Sequence, residues 1–129
     1  MNHKTVLVGI NDIFFYTKVR DALLPQGYKL EKARAQQDVL EKASTTHPAA
    51  VLLDMNDRIV DAYQALKTLK TDPRFKTIPI LAYANHEDVD TWNRAKALGV
   101  TKIVSRNEFS ARTRDLVNEL VASNVSGNT

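Results

Sequence analysis

Polar residues stand directly after apolar runs at four places in this chain. Asn11 and Asp12 follow Thr5–Ile10, Asp54 and then Asn56 follow Ala49–Leu53, Asn85 follows Ile78–Ala84, and Arg106 follows Thr101–Ser105. A carboxylate at the tip of a buried strand is partly desolvated, and it can pair with backbone N–H groups, a guanidinium or a cation. Asp54 is therefore the residue best suited to chemistry, although its position also suits the N-cap or first-turn acid of a following helix. Residue types and spacing exclude several other chemistries. The chain has no cysteine, and His3, His47 and His86 show no zinc-ligand spacing. Gly9–Phe15 holds a single glycine, so neither a P-loop nor a dinucleotide-binding loop follows the first run. No Ser-His-Asp or paired-carboxylate constellation falls at these tips, and an enzyme is not expected.

The elements that must position these residues are legible as an alternation. Residues 4–10, 28–33, 49–53, 78–83 and 101–105 read as strands, four of them short apolar runs. Between them lie helical stripes: Phe15, Val19, Ala22 and Leu23; a short helix over 36–44; Ala62, Ala65, Leu66 and Leu69; residues 87–98; and Phe109, Thr113, Leu116, Val117 and Leu120. Pro25-Gln26-Gly27, His47-Pro48, Asp72-Pro73 and Gly99 end elements. Five strands alternating with five helices predict an α/β fold, a doubly wound five-stranded parallel sheet in the order 2-1-3-4-5. Ligands of such sheets bind outside the carboxyl ends of the strands, where the polar residues above fall.

The composition bounds the remaining possibilities. With 129 residues, 43% apolar and 26% charged, the chain suits one globular domain, expected over 1–122 with a flexible tail over 123–129. No apolar run is long enough for a membrane span and no secretory leader opens the chain, so a cytoplasmic location is expected. Residues 62–114 hold ten Lys/Arg against five Asp/Glu. These cations are dispersed and lack any nucleic-acid motif, so a solvated surface is the preferred reading and no nucleic-acid partner is expected. An anion binder using this basic half would show a steep salt dependence of binding.

From about Thr5 to Leu120 the sequence resembles the receiver domains of bacterial two-component response regulators, the CheY-like fold. Asp54 matches the phosphoryl-accepting aspartate after the third strand. Ala84, thirty residues on, matches a Thr or Ser position, and Arg106, fifty-two residues on, matches a lysine. Asp61-Ala62, Pro79 and the Ala-Leu-Gly-Val step at 97–100 also match. The resemblance implies a signalling module whose partner is a histidine kinase or a downstream effector protein.

The departures gather where the family's chemistry lies. The resemblance implies two acidic residues after the first strand that hold Mg²⁺ with the acceptor. Those positions are Ile10 and Asn11 here, or Asn11 and Asp12 with a one-residue slip. Asp12 and Asp54 then make a weak Mg²⁺ site at most, with the Asn56 carbonyl beside them, and no cofactor is expected. Ala84 lacks the hydroxyl, Ile103 replaces the aromatic switch residue of the fifth strand, and Arg58 replaces a proline. Arg106 is expected to grip Asp54 at about 2.7–2.9 Å and to depress its pKa. The expected function is an atypical stand-alone receiver module acting by protein–protein contact, with weak or absent Mg²⁺-dependent phosphorylation. The alternative is a working phospho-receiver that accepts a phosphoryl group on Asp54 from a histidine kinase. Trp92 is expected in the core against Val89, or else as an anchor on the surface of the fourth helix. At least one ring of Phe14-Phe15-Tyr16 must lie at the surface, because adjacent helical residues point in different directions.

Overall fold

The computed structural model describes residues 4–127, with side chains through Ser123. Five strands, β1 (Thr5–Gly9), β2 (Lys29–Lys32), β3 (Ala50–Asp54), β4 (Ile80–Ala84) and β5 (Lys102–Ser105), pair in parallel in the order β2-β1-β3-β4-β5. Between and after them run α1 (Ile13–Leu23), α2 (Asp38–Thr46), α3 (Ala62–Thr71), α4 (Val89–Ala97) and α5 (Arg106–Gly127). The expected fold class and strand order are thus those observed. The expected strand bounds run one or two residues wide at several ends. α5 starts directly after β5, is broken at Arg112 (φ −127°, ψ 28°), and includes residues 123–127 of the segment expected as a tail.

Two apolar layers cover the sheet, and strand alternation decides which residue enters which. Val6, Val8, Leu52, Leu81, Tyr83 and Val104 face α1 and α5, where they meet Phe15, Val19, Phe109 and Leu116. Leu7, Val51, Leu53, Ile80, Ala82 and Ile103 face α2, α3 and α4, against Val39, Ala65, Leu66 and Leu69. β3 and β4 are buried along their whole lengths, as inner strands of a parallel sheet must be. The anticipated stripes of α1, α3 and α5 are the buried ones, with Ala22 of α1 only half-buried.

Local chemistry sets the ends. Asp12 caps α1 by accepting from the N–H groups of Phe14 and Phe15, and Asp61 caps α3 by accepting from Gln64 N–H. α1 runs on into a 3-10 turn carrying Pro25, which closes at Gly27 with φ 88°. Only a residue without Cβ adopts that conformation without strain. His47, held off the right-handed helical region by Pro48, ends α2 at φ 46°.

Two expectations about aromatic residues resolve differently. Phe14 is 60% exposed beside buried Phe15, as adjacent helical positions require. Val89 is 61% exposed and gives Trp92 no core partner. Trp92 is half-buried, packs beside the α2–α4 layer, and donates its indole N–H to the Asn85 carbonyl at 3.0 Å.

Candidate functional site

The carboxyl ends of β1 and β3 and the start of α5 enclose a crevice of about 490 Å³. It is lined by Asn11, Asp12, Asp54, Asn56, Asp57, Arg58, Ile59 and Arg106. Five of the six residues expected to line a site therefore meet there. Ala84 does not, because on β4 it faces the α2–α4 layer together with Ile103, and it is fully buried.

Asp54 is the last residue of β3 and is only 4% exposed. One carboxylate oxygen accepts from the Asn56 N–H at 2.8 Å. Burial is the largest influence on its titration and holds its pKa above the ordinary carboxylate value. The Asn56 N–H and the Tyr83 hydroxyl oppose this, Asp57 reinforces it, and Arg106 opposes it most weakly. The expected Arg106–Asp54 ion pair is absent among the described residues, and the expected depression of the Asp54 pKa is reversed. The physical reason lies in α1. Phe15 is buried beside the crevice, and the Arg106 guanidinium lies over its ring, 4.7 Å from the centroid. A guanidinium is weakly hydrated and stacks well on an aromatic face, so it settles there rather than on the carboxylate.

A raised carboxylate pKa has a definite sign in stability. The neutral form of Asp54 suits the fold, so its contribution is fully present below the unfolded-state value near 3.8 and is lost as pH rises through the folded-state value. Asp54→Asn is therefore expected to stabilise the protein at pH 7, by about 1–2 kcal/mol. Urea unfolding at pH 7 and at pH 3.5 should show that gain shrinking towards zero at the acidic pH. An equal gain at both would refute the account.

A second carboxylate, which the sequence does not flag, organises the crevice mouth. Asp57, three residues after Asp54, accepts from the backbone N–H of Asn11 at 2.5 Å and from its side-chain amide at 2.9 Å. The same carboxylate accepts from Ile59 N–H at 3.1 Å and Val60 N–H at 2.9 Å. The Asn11 amide also donates to the Ala33 carbonyl at 3.1 Å, tying β1 to the segment after β2. Asp57 thus clasps the end of β1 to the β3–α3 loop. Its local bonds form an Asx-type turn, a pattern legible in Asp57-Arg58-Ile59-Val60, but the partner Asn11 lies 46 residues away.

The carboxylates that line the crevice already accept hydrogen bonds from the protein. Asp12 is spent on the α1 N-terminus, Asp57 on four N–H groups, and Asp54 on Asn56 N–H. Among the described residues no three acidic, histidine or cysteine side chains are grouped to hold a metal. An octahedral cation would compete with these N–H groups for the carboxylate oxygens. The Tyr83 hydroxyl lies at the inner side of the site, next to the Asp54 carboxylate, and the phenol stays protonated there because of burial and that neighbouring charge.

No family profile matches the chain, and no curated protein matches it in sequence. Solved structures match it in shape. A signal receiver domain of a response regulator from Bermanella marisrubri is 21% identical with a TM-score of 0.80, covering 93% of this chain and 99% of that one. The phosphorylated cyanobacterial phytochrome response regulator RcpA is 17% identical with a TM-score of 0.81, covering 95% and 96%. The receiver domain of the sensor histidine kinase PA1611 from Pseudomonas aeruginosa, with magnesium in its active-site cleft, is 14% identical with a TM-score of 0.80, covering 94% and 99%. In strand order and in superposition, this chain has the CheY-like receiver fold of response regulators.

Proposed function

We propose that this protein is a receiver-type signalling module of a two-component system. In this reading it acts by protein–protein contact, with weak or absent Mg²⁺-dependent phosphorylation of Asp54. The observation that carries the reading is the Asn11–Asp57 clasp, which commits to N–H groups a carboxylate that a cation would otherwise recruit. Two further features support it. Ala84 offers no hydroxyl to a group on Asp54, and Ile103 is an aliphatic side chain buried in the α2–α4 layer. A ligand shifts a conformational equilibrium only through its differential affinity for the two states, and both features lower that difference. The partner is a histidine kinase or a downstream effector protein, met in the cytoplasm. No nucleic acid, membrane or turned-over substrate takes part. Among the described residues no helix is long and apolar enough to cross a membrane.

One observation favours a second reading, a working phospho-receiver. Arg106 is not locked onto Asp54 but rests on Phe15 at the edge of the crevice, placed to meet an incoming phosphoryl oxygen. Intact-mass analysis after exposure to acetyl phosphate with Mg²⁺ separates the two. Little or no added phosphoryl mass is expected. In a paired assay of partner binding and cellular output, Asp54→Asn should leave output largely intact, while Lys96→Glu on the exposed side of α4 should reduce it. Arg112 lies on α5, and its bonds to Glu108 and Glu119 make it a less clean probe. Stoichiometric labelling of Asp54, with output lost in Asp54→Asn, would establish the second reading instead.

A further inference from the structure

Neither reading uses the Tyr83 hydroxyl. Tyr83 is fully buried, and its hydroxyl is the one buried side-chain polar atom among the described residues without a hydrogen-bond partner. Such an orphan is costly, so a buried hydroxyl of this kind calls for a partner. Its surroundings supply one. Tyr83 is the cross-strand partner of Asp54 on the same face of the sheet, and its phenol lies beside that carboxylate. The ring is held between two others, Phe15 of α1 at 4.8 Å and 27° and Phe109 of α5 at 4.5 Å and 33°. The Arg106 guanidinium covers Phe15 in turn.

We propose that Tyr83 is a positioning residue for Asp54: its hydroxyl donates to the Asp54 carboxylate and ties it, through the Phe15–Tyr83–Phe109 stack, to α1 and α5. A phenol is the donor in this pair and an ionised carboxylate only accepts, which fixes the direction of the bond. With rings packed against it, the phenol has little freedom, so the carboxylate is the group that is held. Ala84, the neighbouring position, points to the opposite face and cannot do this. A regulatory consequence rests on the signalling reading above. Any group attached to Asp54, or bound against it, must displace the hydroxyl, hence the ring, and hence shift two helices. The bond itself belongs to the unmodified protein and is independent of phosphorylation.

The test uses the full chain without metal or phosphodonor, so its failure is distinguishable from failure of the signalling reading. With tyrosine labelled with ¹³C at Cζ, the Tyr83 resonance is assigned by its loss in Tyr83→Phe. It is expected to move in Asp54→Asn, and the Phe15 and Phe109 ring signals should move with it. In the Tyr83→Phe background, Asp54→Asn should leave those ring signals nearly in place. A double-mutant cycle on the folding equilibrium constant at pH 7 should show coupling of about fivefold. A Tyr83 resonance that ignores Asp54→Asn, or effects that multiply independently to within about twofold, would overturn the proposal.

Discussion

Asp57→Ala is expected to destabilise the protein by about 2–3 kcal/mol, a larger effect than surface substitutions normally have. Four N–H donors lose their acceptor at once. Asn11 is half-buried and Val60 fully buried, so water cannot replace the carboxylate at every donor. The end of β1 also loses its tie to the β3–α3 loop, and exchange of the Asn11 and Val60 amide hydrogens should quicken accordingly. Asp57→Asn keeps one carbonyl acceptor and is expected to recover roughly half of the lost stability. Urea unfolding with an unchanged slope measures both variants. A loss in Asp57→Ala below about 0.5 kcal/mol would mean that solvent serves the four donors as well as Asp57 does.

Asn11→Asp is expected to tighten Mg²⁺ binding by a factor of about ten to a hundred. The wild-type protein should bind the ion in the millimolar range or more weakly. The substitution places a carboxylate against Asp57, where an amide now donates at 2.9 Å. Two like charges at that distance repel, and the clasp opens. Asp57 is released towards Asp12, Asp54 and the new acid, all around one crevice, and a dication then relieves the repulsion. Calorimetric titration with MgCl₂, and the rise in Tm at 10 mM Mg²⁺, provide two readings of the same linkage. Submillimolar affinity in the wild-type protein would contradict the commitment of these carboxylates to N–H groups and favour the phospho-receiver reading.

Much of the architecture is legible from residue order alone. β3 and β4 announce themselves because a strand buried on both faces must be apolar throughout, and Asp54 stands out as the first charge after such a run. The stripe of Phe109, Thr113, Leu116, Val117 and Leu120 likewise predicts which side of α5 is buried. The site is legible only where its residues fall at strand tips. Asp57 escapes notice because its significance lies in a bond to Asn11 across 46 residues, while locally it resembles any loop acid. The anticipated Arg106–Asp54 pair fails for a related reason. Complementary charge at neighbouring tips suggests a pair, but the choice between carboxylate and aromatic face depends on where Phe15 packs. Tyr83 reads as one more apolar strand residue, since nothing in Ile80–Ala84 reveals that its hydroxyl ends beside a carboxylate.

The sheet itself separates this protein into two packed parts. Tyr83 belongs to the layer beneath α1 and α5, with Asp54 its register partner on the same strand face, whereas Ala84 and Ile103 belong to the layer beneath α2, α3 and α4. Close-packed layers on opposite sides of a strand share backbone but few side-chain contacts, so substitutions on one side should combine almost independently with those on the other. Such a partition leaves the two surfaces free to drift at different rates over evolutionary time. Residues under α4 can change while the crevice, its clasp and its aromatic stack stay as they are.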